Sequence, residues 1–541
     1  MANILDKILD DDLDVLSKNR IKFVYSILIL IFLILIGRLL QLTIFIEEEK
    51  IELKNYVAVD ELQNRVNIVD RNDVIIATDL DMYNFYLNRD LVSNPKLTSE
   101  KIAKIIPEVN KDKLYQKLIN AESNAKFLLI KNNITPKQQL AIKDAEVVGF
   151  EFIPSKGRVY PHNNLFSHVV GYVDIDRNGI SGLEKEHNEY LKNPTNRPLK
   201  LTFDSRIQSI LRQQLQIAMT KYGAKSILGI VYEVKTGNIL ASVTLPDFNP
   251  NNLQSAKREY LFDKVNYGVY EMGSIFKIFT LANGFDTGTI NENKRYDVSQ
   301  VITYGKYSVK QDWYSKRYMS PEEILTKSSN VGAALIGLEV GQKKQEDSLR
   351  KLGLLDRVPA KFPSLARPLY PKTWREINTI TISYGHGISV TPLHIAMAVS
   401  GIINKGIMKN PKFTQFDENQ ETVVMNAKTS EIMARYMRLV VSKGTGWRAN
   451  TLGYSVGGKT GSARLLKNGT YQEKNILANF VGIFPMNNPH FLIYVMVESP
   501  NISSVDNDDV SGGIVAAPIV SRIIENIAPV LNVVPHTERI Q

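Results

Sequence analysis

The longest apolar stretch of the chain covers residues 23–46, where Arg38 is the only charged residue. As a helix this stretch would be about 36 Å long, enough to cross the ~30 Å hydrocarbon core of a bilayer. No small-residue cleavage site follows it, so the pattern favours a retained single-pass anchor over a cleaved signal peptide. The preceding Lys18, Arg20 and Lys22 predict a cytoplasmic N-terminus at the cytoplasmic (inner) membrane, with the rest of the chain periplasmic or extracellular.

Beyond this stretch the apolar pattern changes twice. Residues 47 to about 195 mix short β-type runs at 66–69 and 74–77 with lysine-rich stretches of helical character between 99 and 143. A segment rich in Pro and Asn at 193–198 has the composition of a linker. The predicted organisation is a cytoplasmic tail at 1–22, a transmembrane anchor at 23–46, an N-terminal domain at 47–198 and a C-terminal domain at 199–541.

The C-terminal domain begins with a helix and a β-hairpin and ends with strands and a helix. The predicted elements are a helix that opens within 201–208 and is capped by Asp204 or Ser205, strands at 230–234, 238–243, 477–484 and 491–497, and a helix from 515 to about 531. The last of these strands is apolar throughout, which is typical of a strand covered on both faces. We expect one mixed domain of helices and strands whose first and last elements share a sheet.

The amino-acid composition argues against several classes of functional site. The 541 residues include no cysteine, which excludes disulfides, thiolate nucleophiles and cysteine-based zinc sites. The seven histidines form no His-Glu-x-x-His pattern, so we expect no metal and no cofactor. The formal net charge of +10 raises nucleic acid as a partner, but the basic residues are spread along the chain without an aromatic–basic motif. No nucleic-acid binding is therefore predicted.

A candidate nucleophile lies in the run Tyr-Glu-Met-Gly-Ser-Ile-Phe-Lys-Ile-Phe-Thr at 270–280. Lys277 follows Ser274 by three residues, so a helix would place both side chains on one face. The Ser-x-x-Lys spacing also begins at residues 93, 123 and 348, but at 274 a glycine precedes the serine and an apolar helix follows. Because burial lowers the proton affinity of an amine, Lys277 is a candidate base for Ser274. The alternative is a lysine that extends to solvent from an ordinary amphipathic helix.

Two later motifs follow the Ser274–Lys277 pair along the chain and add further candidate catalytic and binding residues. Ser-Ser-Asn occupies 328–330 after a predicted helix, and Lys-Thr-Gly-Ser occupies 459–462. An earlier Lys-Thr-Gly at 235–237 lies in the predicted hairpin turn and is assigned to structure. In covalent catalysis by a serine, Ser328 can relay a proton to a leaving amine, and Asn330 can hydrogen-bond a substrate amide.

The Lys-Thr-Gly-Ser motif has the groups that a substrate with a terminal carboxylate needs. Lys459 would supply positive charge, while Thr460 and Ser462 would donate hydrogen bonds to the carboxylate. Gly461 would let the substrate approach the strand closely. The backbone N–H groups of Ser274 and Ser462 could together form an oxyanion hole.

Further motifs extend the pattern over nearly the whole chain. They are Arg65-x-x-Ile68-x-Asp70-Arg71-Asn72, Arg158-x-Tyr160-Pro161, His168-x-x-Gly171-Tyr172-Val173, Gly182-Leu183-Glu184, Leu245-Pro246-Asp247-Phe248-x-Pro250, Tyr270-Glu271-x-Gly273-Ser274 and Gly385-His386-Gly387-Ile388-Ser389-Val390-Thr391-Pro392. With them the chain resembles class B penicillin-binding proteins, most closely the division-specific peptidoglycan D,D-transpeptidases of the FtsI type. It departs from the family at Val66 and Asp73, where glycine is usual, and at Ser462, where threonine is usual.

The resemblance implies an α/β (α+β) fold of the penicillin-recognising serine transpeptidase type, an antiparallel sheet flanked by helices, above an N-terminal pedestal domain of the dimerisation type. Arg158, His168 and Glu184 are expected to be structural pedestal positions, and His386 to shape a loop. The implied substrate is the D-Ala-D-Ala end of peptidoglycan stem peptides, and β-lactams would acylate the same serine.

The resemblance also implies septal cell-wall synthesis at the membrane during cell division. We expect no glycan-polymerising domain before the pedestal, so glycan strands would come from a SEDS-family glycosyltransferase, alongside other division proteins. Three alternatives stay open: an elongation-specific class B transpeptidase, a β-lactam hydrolase or sensor of the same fold, and a non-catalytic scaffold.

Overall fold

The computed structural model describes residues 23, 26–38, 64–120, 126–305, 307–310, 316–467, 470–501 and 510–535. The chain forms two compact units, Met1–Leu62 and Gln63–Gln541. In the first unit the described residues are helical, and their large apolar side chains are exposed. Within the described ranges no helix combines the length and apolarity that a membrane crossing requires. The predicted tail at 1–22, residues 24, 25 and 39–46 of the predicted anchor, and residues 47–63 lie outside the described residues.

A sheet built around one long strand forms the N-terminal domain. Strand β2 (Ile75–Asn88) pairs antiparallel with β3 (Phe127–Ile134) and with β4 (Phe150–Val159). The short β1 (Ile68–Val69) pairs antiparallel with β2 and parallel with β5 (Leu199–Lys200). The β-type runs expected early in the domain are thus present. Strand β3 lies within the stretch that we expected to be helical, because its Phe-Leu-Leu-Ile run pairs with β2 instead.

Three helices cover this sheet: α1 (Pro95–Ile105), α2 (Lys111–Ile119) and α3 (Pro136–Asp144). Each helix is capped by the residue that precedes it, and the three caps are Asn94, Asn110 and Thr135 respectively. The side chain of each cap accepts a hydrogen bond from a backbone N–H of the first turn. Their apolar faces pack against Phe85 and Leu87 of β2 in one core. Three short helices then lead towards the C-terminal domain: α4 (Ser167–Val170), α5 (Gly182–Glu186) and α6 (Asn188–Lys192).

A buried ion network ties these segments together. The carboxylate of Glu184 accepts hydrogen bonds from Nε of Arg65 and Nε of Arg158, each at 2.7 Å. Arg158 also donates to Asp79 at 3.1 Å, and none of these four side chains is more than 2% exposed. The imidazole of His168 hydrogen-bonds a backbone carbonyl of the C-terminal domain at 2.7 Å. These contacts are of the structural kind that the sequence predicts for Arg158, His168 and Glu184.

The C-terminal domain contains the remaining elements. Its main strands are β6 (Ser226–Glu233), β7 (Ile239–Leu245), β14 (Gly457–Lys467), β15 (Thr470–Phe484) and β16 (Phe491–Glu498), and its short strands are β8 (Tyr296–Asp297), β9 (Ile302–Tyr304), β10 (Tyr307–Val309), β11 (Tyr318–Met319), β12 (Ile407–Lys409) and β13 (Glu421–Val423). Its helices are α7 (Ser205–Tyr222), α8 (Lys277–Asp286), α9 (Pro321–Lys327), α10 (Asn330–Val340), α11 (Gln342–Lys351), α12 (Glu376–Ile382), α13 (Pro392–Ile403), α14 (Ala427–Ser442) and α15 (Ala516–Ile527).

The main sheet is antiparallel, with strand order β14-β15-β16-β6-β7. Strand β6 near the start of the domain pairs with β16 near its end, so the predicted sharing of one sheet is confirmed. All eight residues of β16 are buried, as the apolar run predicts. The strand order also places β14, which carries the Lys-Thr-Gly-Ser motif, at one edge of the sheet.

Two apolar cores lie on the two faces of this sheet. On β16, Ile493 and Val495 belong to a core with α7 and α15, while Leu492 and Tyr494 belong to a core with α8 and α13. The alternation follows from the two-residue period of a strand. The expected antiparallel sheet flanked by helices is therefore present, with α7 capped by Asp204 as predicted.

Candidate active site

The candidate nucleophile lies in a tight turn that leads into α8. Ser274 belongs to a 3₁₀ turn, Gly273–Phe276, so it precedes the first α-helical turn instead of lying within it. Gly273 adopts φ +55°, and a Cβ there would lie 2.3 Å from the carbonyl oxygen of Ser462. Glycine is therefore required where the nucleophile turn meets the edge strand β14.

Lys277 is fully buried, and its amine has four oxygen acceptors. Nζ lies 2.9 Å from Oγ of Ser274, 2.6 Å from Oδ1 of Asn330, and 2.7 and 3.1 Å from the carbonyl oxygen and Oγ of Ser328. Burial, and secondly the charge of nearby Lys459, hold the pKa of Lys277 well below that of an ordinary lysine. The side chain does not extend to solvent, and its amine is placed and tuned to accept the Ser274 proton.

Ser328 lies between two lysines. It caps the C-terminus of α9 in a left-handed conformation, with φ +64°, which is strained for a residue with a Cβ. This conformation directs its carbonyl oxygen to Lys277, while its Oγ accepts hydrogen bonds from Lys277 at 3.1 Å and from Lys459 at 3.0 Å. A capping box between Ser320 and Glu323 fixes the other end of α9. The hydroxyl of Ser328 therefore links two amines that come from distant parts of the chain.

The second lysine is also fully buried. Burial lowers the pKa of Lys459 to about 7, so its charge changes near physiological pH. Its Nζ donates to the carbonyl oxygen of Thr460 at 3.0 Å and to Oγ1 of Thr460 at 3.2 Å. Thr460 Oγ1 in turn shares a hydrogen bond with Oγ1 of Thr445 at 2.9 Å. The motif thus lies within a continuous hydroxyl–amine network.

The last two residues of the motif face different surroundings. A Cβ on Gly461 would lie 2.1 Å from Oδ1 of Asn479 and 2.5 Å from the carbonyl oxygen of Met272, so glycine is required there. Ser462 is exposed, and its Oγ accepts a hydrogen bond from the N–H of Gly512 at 3.0 Å. That bond leaves the hydroxyl proton of Ser462 available to donate to a ligand.

The structure brings together Ser274, Lys277, Ser328, Asn330 and Lys459 by direct hydrogen bonds, with Thr460, Gly461 and Ser462 on the adjoining strand. The earlier Lys-Thr-Gly at 235–237 occupies the turn between β6 and β7, where Gly237 has φ +79°, as expected of a structural motif. Within the described part of the chain, no group of three or more His, Asp or Glu could hold a metal ion.

Sequence reasoning missed several neighbours of the site. Thr445 gave no signal, because it lies in a glycine-containing loop with no recognised motif. Asn479 was visible as a polar residue in an apolar strand run; it is fully buried, and neither atom of its amide has a hydrogen-bond partner among the described residues. Arg464 also gave no signal; it lines a cavity beside Ser462 together with His386, which the sequence predicts to shape a loop. Burial lowers the pKa of His386, which keeps its imidazole largely neutral at pH 7.

Two protein families match the chain in the order of its domains. The penicillin-binding protein dimerisation domain matches residues 61–196, and the penicillin binding protein transpeptidase domain matches residues 227–525. The chain belongs to the penicillin-binding protein transpeptidases. With both domains present, it is a class B penicillin-binding protein of the FtsI type, as the sequence motifs indicated.

Curated relatives of this penicillin-binding protein cover most of its length. A probable peptidoglycan D,D-transpeptidase FtsI from Caulobacter vibrioides is 29% identical over 88% of this chain and 82% of its own. The peptidoglycan D,D-transpeptidase FtsI of Escherichia coli is 25% identical over 77% of this chain and 74% of its own. Among solved structures, penicillin-binding protein 3 of Mycobacterium tuberculosis, complexed with aztreonam, matches with a TM-score of 0.69 and 23% identity over 88% of this chain and 97% of its own. This structural match shows that the two proteins share a fold.

Proposed function

We propose that this penicillin-binding protein cross-links peptidoglycan stem peptides through an ester on Ser274 during septal wall synthesis. The observation that carries the proposal is the 2.9 Å hydrogen bond between a fully buried lysine amine and the hydroxyl of Ser274. A buried amine with a lowered pKa activates a hydroxyl without a histidine.

The acylation step follows from these contacts. Neutral Lys277 takes the Ser274 proton as Oγ attacks the carbonyl carbon of the penultimate D-Ala. The oxyanion is stabilised by the N–H groups of Ser274 and Ser462. Collapse breaks the peptide bond, and the proton returns through Ser328 to the departing amine of the terminal D-Ala. An amine of a neighbouring stem then attacks the ester, which forms the cross-link and frees Ser274.

The remaining residues position the donor peptide. Protonated Lys459, with the hydroxyls of Thr460 and Ser462, binds the terminal carboxylate. Because Oδ1 of Asn330 already accepts a hydrogen bond from Lys277 at 2.6 Å, its Nδ2 is the atom that would donate to a substrate amide carbonyl. Gly461 gives the peptide space beside β14.

The cellular part of the proposal concerns the membrane and the division machinery. Residues 23–46 would anchor the protein in the cytoplasmic membrane with the two folded domains outside. A SEDS-family glycosyltransferase would supply glycan strands. The relatives named FtsI support division over elongation. Depletion of the protein should produce filaments; round cells would instead indicate the elongation-specific alternative.

Labelled penicillin tests the chemical part. Mass spectrometry of the treated full-length protein should locate the adduct on Ser274, and Ser274→Ala should abolish it. Ser348→Ala is a matched control, because Ser348 begins another Ser-x-x-Lys spacing in the same domain. An adduct on a different serine would refute the assignment, and rapid release of hydrolysed penicillin would indicate a β-lactam hydrolase.

A further inference from the structure

A second cavity, of about 430 Å³, lies between α11 and the segment that precedes α12. We call it the aromatic groove, and its lining includes Glu346, Arg350, Leu369, Tyr370, Lys372 and Trp374. Pockets of about 300–1,000 Å³ that combine aromatic side chains with a few polar groups are typical binding sites for small ligands. The proposed acyl transfer uses none of these residues, so the groove needs a different explanation.

Two aromatic rings give the groove a fixed apolar surface. The ring centroids of Tyr370 and Trp374 lie 6.5 Å apart, and the ring planes form an angle of 50°. The indole N–H of Trp374 donates to Oε1 of Gln345 at 3.1 Å. The buried amide of Gln345 in turn donates to the carbonyl oxygen of Thr379 at 3.1 Å and to Oγ of Ser383 at 3.0 Å. Because these bonds hold the indole in place, the surface is formed before a ligand binds.

The polar side of the groove has little net charge. Arg350 pairs with Glu346 at 3.2 Å and with Asp356 at 3.4 Å, so two carboxylates offset its guanidinium. The side chains of Arg350 and Glu346 are 45% and 33% exposed, which leaves both able to form hydrogen bonds with a ligand. An uncharged sugar matches both sides of the groove. Its C–H face packs on aromatic rings, and its hydroxyl and acetamido groups bond to polar side chains.

The hydrogen bonds of Trp374 also limit the distance from the groove to the nucleophile turn. Gln345 links Trp374 to Ser383, and Ser383 lies two residues before Gly385. The carbonyl oxygen of Gly385 accepts a hydrogen bond from the N–H of Gly273 at 3.2 Å. Three hydrogen bonds and short covalent segments therefore connect the indole of Trp374 to the residue before the nucleophile. They limit the separation of these two groups to about 20 Å.

A glycan strand that carries a bound stem can reach this far. Four extended stem residues, up to the reacting D-Ala, span about 13 Å at about 3.3 Å per residue. The sugar that carries the stem then lies about 13 Å from Ser274, and the neighbouring sugars extend beyond it. One loop also contributes to both regions: His386 lines the cavity beside Ser462, and Ser389 pairs with Leu369 of the groove through two hydrogen bonds of 2.8 Å.

We propose that the aromatic groove binds an N-acetylated amino sugar of the glycan strand whose stem peptide is bound at Ser274. Tyr370 and Trp374 would pack against the sugar ring, and Glu346 and Arg350 would bond to its hydroxyl and acetamido groups. The proposal rests on the proposed function, because the distance argument uses a donor stem at Ser274. It adds a glycan subsite to the transpeptidase and leaves the acyl-transfer chemistry unchanged.

Fluorine NMR of the full-length protein labelled with 5-fluorotryptophan tests this proposal. The chain has three tryptophans, and Trp374→Phe identifies the resonance of the one in the groove. The probe is the tetramer of N-acetylglucosamine, which has neither a stem peptide nor a charge. We expect it to shift the Trp374 resonance with a dissociation constant of about 1 mM. The resonance of Trp447, which is exposed outside the groove, should not move.

A matched pair of tyrosine variants tests the contribution of the aromatic rings. Tyr370→Ala should weaken binding of the tetramer about tenfold, because one of the two rings is lost. Tyr318→Ala, which removes an exposed tyrosine outside the groove, should retain the affinity of the unchanged protein. Equal affinities in the two variants would overturn the proposal.

Two further results would also overturn it. One is an unchanged Trp374 resonance at about 10 mM tetramer, tenfold above the expected dissociation constant. The other is an equal shift caused by the free stem pentapeptide or by inorganic polyphosphate, since the groove would then not select a sugar. The penicillin adduct separates these failures from failure of the proposed function. Acylation of Ser274 without sugar binding refutes only the glycan subsite, whereas sugar binding without acylation supports the subsite and refutes the proposed chemistry.

Discussion

Replacement of Ser328 by alanine separates catalysis from structure at this site. The change removes one hydroxyl, which accepts hydrogen bonds from Lys277 at 3.1 Å and from Lys459 at 3.0 Å. Both amines keep other acceptors: Lys277 retains Ser274, Asn330 and the carbonyl oxygen of residue 328, and Lys459 retains two oxygens of Thr460. No buried amine is therefore left without a partner.

These contacts give different magnitudes for stability and for rate. Two lost hydrogen bonds, each worth about 0.5–1.5 kcal/mol, predict a decrease in unfolding free energy of about 1–3 kcal/mol. Loss of the proton relay predicts a chemical step slower by about 10²–10⁴-fold, which corresponds to about 2.7–5.4 kcal/mol in the activation barrier. The left-handed conformation at residue 328 is about as strained for alanine as for serine, because both have a Cβ, so the backbone adds little to this difference.

Stopped-flow acylation with a fluorescent penicillin resolves initial binding from the chemical step. We expect Ser328→Ala to bind penicillin within about threefold of the unchanged protein while the acylation rate constant falls by at least 10²-fold. Ser329→Ala is the matched control. Ser329 caps α10 through a 3.0 Å hydrogen bond from Gly332 N–H, so its loss should lower stability by about 1 kcal/mol without a comparable change in rate. A Ser328→Ala acylation rate within tenfold of normal would refute the proton-relay role.

Three further predictions concern other groups. The penicillin acylation rate should rise with pH as Lys277 loses its proton and fall above about pH 7 as Lys459 loses its own, so a rate that is flat between pH 5 and 10 would contradict these roles. Gly461→Ala should greatly reduce acylation, measured by gel fluorescence, because the added methyl group would lie 2.1 Å from a buried amide oxygen. Glu184→Ala should lower the unfolding free energy in urea by about 3–5 kcal/mol, because two buried guanidinium groups lose their shared carboxylate. The exposed control Glu189→Ala should change it by less than about 0.5 kcal/mol, and equal effects of the two changes would contradict a stabilising role for the buried network.

Much of the fold and the membership of the site could be predicted from the sequence. The β6–β7 hairpin, the fully buried β16 and the cap at Asp204 follow from local patterns, because turn residues, apolar runs and capping side chains act over a few positions. The Ser274–Lys277 pair has the same local character, since a spacing of three residues is enough to bring the two side chains together. Strand β3 was missed because its pairing with the distant β2 overrides a helix-like composition.

Only the tertiary structure determines the contacts and the protonation of the active-site side chains, which local sequence spacing cannot predict. Ser328 lies 51 residues from Lys277 and 131 from Lys459, and only the packing of α8, α9 and β14 places its hydroxyl between the two amines. The lowered pKa values of both lysines are consequences of burial, which depends on the whole fold and not on the residues adjacent in sequence. Likewise, only the folded structure shows that Arg464 lines a cavity beside Ser462. The sequence determined which chemical groups are present, and packing determined their protonation and their partners.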